Sequence, residues 1–151
     1  MRKYINLIEN FNVMEGISGG TFIAYHGTKS DFEKFDNNQL GSAHGGAPIN
    51  MMGFNFTDKL ECAGTFGSKI IAADITINHP YVIDAKGKNY SEFKHVINGH
   101  LDDLDTNKYD GIIIMRYADA VPNSDEYIES NHYIPFSASQ IKIIGYTKVD
   151  K

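Results

Sequence analysis

The sequence predicts an α+β domain built on a largely antiparallel sheet. Three observations point there. The chain has 151 residues, 42% hydrophobic and 22% charged, which suits one domain (residues 1–151) with one ordinary globular core. Short β-favouring runs outnumber segments with helical spacing. Strands and helices are unevenly distributed, so the pattern is not a strict strand–helix alternation.

The elements follow in chain order. Tyr4, Ile5, Leu7, Ile8 and Phe11 recur at helical spacing, predicting a short N-terminal helix within residues 1–20. Gly16, Gly19 and Gly20 break it and form a glycine-rich connector. Thr21 to His26 is an extended run that Gly27 ends. Asp36 to Met52 is rich in Asn, Gly, Ser and Ala without a period, and reads as a long loop. Gly53 to Thr57 reads as a short strand, after which Asp58 caps a helix over 59–66. Ile70 to Ile77 is a strong strand ending at His79-Pro80. Tyr81 to Asp84 resumes an extended path. Ser91 to Leu104 reads as a helix, with Ser91 as N-cap and Phe93, Val96, Ile97, His100, Leu101 and Leu104 on one face. After the Asp110-Gly111 turn, Ile112 to Met115 is a buried strand. His132 to Phe136 and Ile141 to Tyr146 are the last strands, after a polar loop from Pro122 to Glu129.

Composition excludes several functions. No apolar run approaches the roughly 18 to 20 residues that cross a bilayer, so no membrane partner is expected. The first residues lack a secretion signal, and the expected location is cytoplasmic. A formal net charge of -5 argues against a nucleic-acid partner. One cysteine, Cys62, excludes an internal disulfide and a cysteine-rich zinc site. It reads as a buried small hydrophobe. The six histidines show no metal-binding spacing; His95 and His100 are five apart on the predicted helix, and no metal is expected.

Three short segments stand out together: Tyr25-His26-Gly27-Thr28, Gly53-Phe54-Asn55-Phe56-Thr57-Asp58 followed by Phe66, and Asn131-His132-Tyr133-Ile134-Pro135-Phe136. With Asn78-His79-Pro80-Tyr81 and Tyr109-Asp110-Gly111-Ile112 between them, their order resembles the ADP-ribosyltransferase superfamily. The branch is similar to the bacterial and phage-associated transferases of the histidine-tyrosine-glutamate type. The resemblance implies two small packed, mostly antiparallel sheets with flanking helices and an NAD cleft between them. It implies NAD as substrate, with nicotinamide released and ADP-ribose passed to an acceptor.

Residue by residue, the resemblance places His26 on a ribose hydroxyl of NAD. Gly27 would grip the nicotinamide amide through its backbone, and Thr28 would offer a hydroxyl to the adenosine side. Phe66 matches the aromatic that stacks on nicotinamide. Asn55 stands where the family usually has tyrosine, so it offers an amide in place of a ring. His132 stands where the family usually has glutamate, the carboxylate that stabilises the oxocarbenium ion. The catalytic set is then His26, Asn55 and His132, and the cofactor-binding set His26, Gly27, Thr28, Asn55 and Phe66. Phe54 and Phe56 flank Asn55 and read as core. Glu129 has the wrong strand parity to replace the missing carboxylate, and Glu126 lies roughly 20 Å along an extended chain at about 3.3 Å per residue.

The function expected from the resemblance is mono-ADP-ribosyl transfer to a protein target, as a small toxin or phage-type effector. The changes at positions 55 and 132 support a competing reading: the same fold acting as an NAD-, ADP-ribose- or protein-binding module. A third reading, an RNA 2'-phosphotransferase of the same fold, is opposed by the acidic net charge and the lack of an arginine cluster.

Overall fold

The computed structural model describes residues 19–28, 35, 53–64, 67–102, 104–122 and 124–148. The expected N-terminal helix, the 36–52 loop and Phe66 lie outside the described residues.

Among the described residues seven strands form the frame: β1 (Gly20–Thr28), β2 (Phe56–Thr57), β3 (Lys69–Ile77), β4 (Pro80–Asp84), β5 (Gly111–Ala120), β6 (Tyr127–Pro135) and β7 (Ile141–Lys148). The described residues also form the α-helices α1 (Leu60–Ala63) and α2 (Tyr90–Asp102), with a 3-10 turn at Ala138–Gln140. The strand order is β4-β5-β6-β2-β1-β3-β7, and only β4 and β5 run parallel. The α+β class expected from the sequence therefore holds.

The layout differs from two separate sheets, because hydrogen bonding runs unbroken through all seven strands. Its narrow point is β2, two residues long, which meets β1 at the single pair Tyr25↔Thr57 and meets β6 at Phe56↔Tyr133 and Thr57↔His132. The ladder bends there. Ala24, Ile71, Ala73, Ile75 and Ile77 from the β1–β3 side pack in one cluster with Val82, Ile113 and Tyr133 from the β4–β5–β6 side. Phe35, Phe54 and Phe56 belong to the same cluster. Removing these side chains from water is the main force holding the two arms face to face.

The opposite face of β4, β5 and β6 carries a second cluster. There Ile83, Ile112, Ile114, Tyr117 and Ile134 pack with Phe93 and Ile97 of α2. Alternation along β4 and β5 explains the split, since Val82 and Ile113 face one cluster while Ile83, Ile112 and Ile114 face the other. Asn89, not Ser91, caps α2. The Asn89 side chain accepts from the Glu92 amide at 3.0 Å, and the Glu92 side chain accepts from the Asn89 amide at 3.0 Å. This reciprocal pair satisfies two orphan donors. Asn89→Ala is expected to lower stability by about 1 kcal/mol, read as a drop in the urea midpoint with an unchanged m value.

Strand β5 runs past the expected end at Met115 because it contains a bulge. Gly111 to Ile114 oppose Pro135 to His132, but Tyr117 to Ala120 oppose Ser130 to Tyr127, so β5 carries one extra residue. Arg116 sits there with a φ of 54°, a conformation rare for a residue with a side chain. Three contacts hold it. Its amide donates to the Asn131 side chain at 3.1 Å, its Nε donates to Asp84 at 3.0 Å, and a second guanidinium nitrogen reaches the other Asp84 oxygen. A bulge bends a strand and re-aims the side chains beyond it.

Candidate active site

The motif residues lie on three neighbouring strands. Cross-strand pairing puts Tyr25, Thr57 and His132 in one row across β1, β2 and β6. The next row carries Phe56 and Tyr133, and the rings of His26 and Phe56 lie 5.4 Å apart. Side chains in successive rows point to opposite faces. The His26 ring accordingly packs on Phe35 and Phe56, whereas the His132 ring packs on Tyr117 at 4.6 Å. The two histidines therefore stand in adjacent rows with their rings on opposite faces of the ladder, and the structure does not bring them together. Among the described residues β1 and β2 share the one backbone pair Tyr25↔Thr57, and the His26 side chain continues the contact to Asn55.

Asn55 meets His26 through its main chain. The His26 Nδ1 donates to the Asn55 carbonyl oxygen at 2.7 Å. A carbonyl can only accept, so Nδ1 carries the proton and the neutral ring has its acceptor lone pair on Nε2. Position 55 can do this with any side chain, which separates the loss of the family's tyrosine from the orientation of His26.

Gly27 has a structural duty of its own. A Cβ added there would lie 1.8 Å from the Ala63 carbonyl oxygen. The close approach that the missing side chain permits is that of the last turn of α1. Thr28 ends β1 opposite Lys69.

At the other motif position the structure supplies a carboxylate that the sequence reading missed. His132 Nε2 bonds Asp119 Oδ2 at 2.7 Å. The same oxygen accepts from Ser130 Oγ at 2.8 Å and, more weakly, from Thr57 Oγ1 at 3.4 Å. Cys62 adds a thiol contact to Asp119. Thr57 and Ser130 are two of the few buried polar side chains among the described residues, and Asp119 satisfies both. The Asp119 and His132 side chains are each 13% exposed.

Strand parity explains the miss. Counting straight along β5 from Ile114, which opposes His132, puts Asp119 on the far face. The extra residue at the bulge reverses that parity and brings Tyr117 and Asp119 to the His132 side. No residue type in the sequence announces a bulge held by Arg116 and Asn131. Glu129 stays exposed, as its parity predicts.

The electrostatics follow from these contacts. Burial pushes the Asp119 pKa up, but the hydrogen bond and charge of His132, with the Ser130 and Thr57 hydroxyls, outweigh it and hold the carboxyl below its ordinary value. Burial, then the charge of Asp119, pushes the Cys62 thiol up to about 12, consistent with its reading as a buried hydrophobe. Burial likewise raises Tyr117. Asp119, depressed in the folded state, contributes stability that is present above its unfolded pKa of about 3.9 and lost as pH falls through the folded value. Stability should therefore decline below about pH 4. Asp119→Asn should remove that part of the decline while costing about 2 kcal/mol at pH 7, measured as urea unfolding across pH.

These placements coincide with a family assignment. Residues 18–148 match the family described as ADP-ribosyltransferase in polyvalent proteins. The chain belongs to this family. A comparison with curated proteins finds no match. The matched range covers the three segments singled out in the sequence, from His26 on β1 to His132 on β6. Among the described residues, no group of three or more His, Cys, Asp or Glu side chains is placed to hold a metal ion. None of the described helices is long and apolar enough to cross a membrane. Apart from the motif strands, a cavity of about 410 Å³ is lined by Tyr81, His100, Asp105, Lys108 and Tyr109, with Tyr81 Oη 2.6 Å from His100 Nδ1.

Proposed function

We propose that this domain cleaves NAD between nicotinamide and ribose and passes ADP-ribose to a protein acceptor, as a toxin or phage-type effector acting inside a cell. Family membership supports the transferase class. The observation that carries the NAD reading is the lock of His26 onto the Asn55 carbonyl at 2.7 Å, one residue before β2. A histidine fixed in one tautomer by a main-chain carbonyl suits a ribose hydroxyl, which donates to Nε2.

In the reaction the C1'–N1 bond breaks and its electron pair stays on the ring nitrogen, so nicotinamide leaves neutral. Positive charge builds on C1' and the ring oxygen, as in glycoside cleavage. The acceptor nucleophile, or water, then forms the new bond to C1' and loses its proton to solvent. In this reading His26 orients one ribose, and His132, on the opposite face of the ladder, is reached by the nicotinamide ribose where the ladder narrows to the two residues of β2. Gly27 and Thr28 line the β1 side, and Phe66 supplies the aromatic wall for nicotinamide.

The binding-module reading draws on two observations: Asn55 contributes main chain where a ring is usual, and position 132 carries an imidazole where a carboxylate is usual. The test is purified protein with NAD labelled in its adenosine half. Nicotinamide release, with label appearing on protein, supports transfer. Saturable NAD binding without release replaces it with the module.

A further inference from the structure

We infer that Asp119 is the carboxylate of this active site, acting through His132 as a positioning residue. The inference rests on the NAD-cleaving reading and assigns the charge that this reading needs. Position 132 brings an imidazole where a carboxylate would meet the oxocarbenium ion. The β5 bulge turns Asp119 onto the same face, and its Oδ2 lies 2.7 Å from His132 Nε2.

The chemistry of the pair follows from its hydrogen bonds. An ionised carboxylate only accepts, so Nε2 holds a proton, and in its neutral form the ring presents its lone pair at Nδ1. Ser130, Thr57 and the Cys62 thiol all donate toward Asp119, which favours its charged form. Two groups beside the pair carry no charge at neutral pH: the Cys62 thiol on α1 and the Tyr117 phenol on β5 are both held protonated. With the ring neutral, the pair carries one negative charge, displaced from the motif position by the width of an imidazole. His132 Nδ1 then accepts from a hydroxyl of the nicotinamide ribose, while the charge behind it stabilises the cation at C1'. No atom of Asp119 enters a covalent step.

The experiment compares nicotinamide release from NAD by the full chain, by Asp119→Asn, by His132→Glu and by the double variant Asp119→Asn/His132→Glu, with thermal unfolding of each. The expected result is a loss in kcat of about 100-fold for Asp119→Asn, with KM for NAD changed much less. The double variant, which moves the carboxylate onto position 132 itself, should recover about tenfold over Asp119→Asn by restoring direct charge stabilisation. A purely structural Asp119 would leave the double variant no better than the single one, and that outcome overturns the inference. So does wild-type kcat in Asp119→Asn. An inactive wild type beside an active His132→Glu keeps the NAD reading and overturns the role of Asp119. Inactivity of every form, wild type included, removes the NAD reading and the inference with it. Nitrogen NMR of His132 in the wild type gives a second check that needs no variant to fold. A neutral ring protonated at Nε2, with its Nδ1 signal moving on addition of a non-hydrolysable NAD analogue, supports the pair. A ring protonated at Nδ1 overturns it.

Discussion

Phe56→Ala is expected to destabilise the domain by about 3 to 5 kcal/mol. Phe56 is 1% exposed and stands on the two-residue strand that joins the arms of the ladder. Its ring touches those of Phe35 and His26, with centroids 5.2 Å and 5.4 Å away. Truncation opens a cavity where the fold is narrowest, and β2 has few other contacts to compensate. Phe56→Leu, which fills much of the space, should cost clearly less. Urea unfolding of both variants measures this. Equal, small losses would show that β2 does not hold the arms together.

His26→Ala should lower nicotinamide release from NAD by about 100-fold or more, the scale of removing one well-placed hydrogen-bonding group from a transition state. Its stability cost should be smaller, about 1 kcal/mol for the lost bond to the Asn55 carbonyl. The separation matters because His26 is also packed on Phe35 and Phe56. His26→Gln, with a donor for the carbonyl but no imidazole, should recover stability before it recovers turnover. Release that falls only in proportion to the folded fraction would place His26 in the core alone.

Much of the frame was legible in the sequence. The β-favouring runs at Thr21–His26, Ile70–Ile77 and Ile141–Tyr146 mark β1, β3 and β7, because their alternation survives into the folded burial pattern. Phe54, Phe56 and Cys62 are buried, as read. The α2 cap was present as Asn89-x-x-Glu92, but Ser91 is also a good capping residue and residue preference alone does not choose between them. Asp58, read as the cap of α1, instead accepts from the Asn131 amide at 2.9 Å and ties β2 to β6. The continuous ladder depends on one backbone pair at Tyr25↔Thr57, which no side-chain pattern encodes.

The site was legible as motif order and hidden as chemistry. His26, Gly27, Asn55 and His132 could be named from their segments. Their partners could not, because each is chosen by backbone geometry. Asn55 acts through its carbonyl, Gly27 makes room for the Ala63 carbonyl, and Asp119 reaches His132 only through an inserted residue at Arg116. Long-range register, not composition, decides all three.

Crystals of the protein with a non-hydrolysable NAD analogue test the account most directly. The expected result is the dinucleotide at β2, with one ribose hydroxyl bonded to His26 Nε2 and the nicotinamide ribose beside His132 Nδ1 on the opposite face. An analogue seated elsewhere, such as the cavity of Tyr81 and Tyr109, with both histidines untouched, would contradict it.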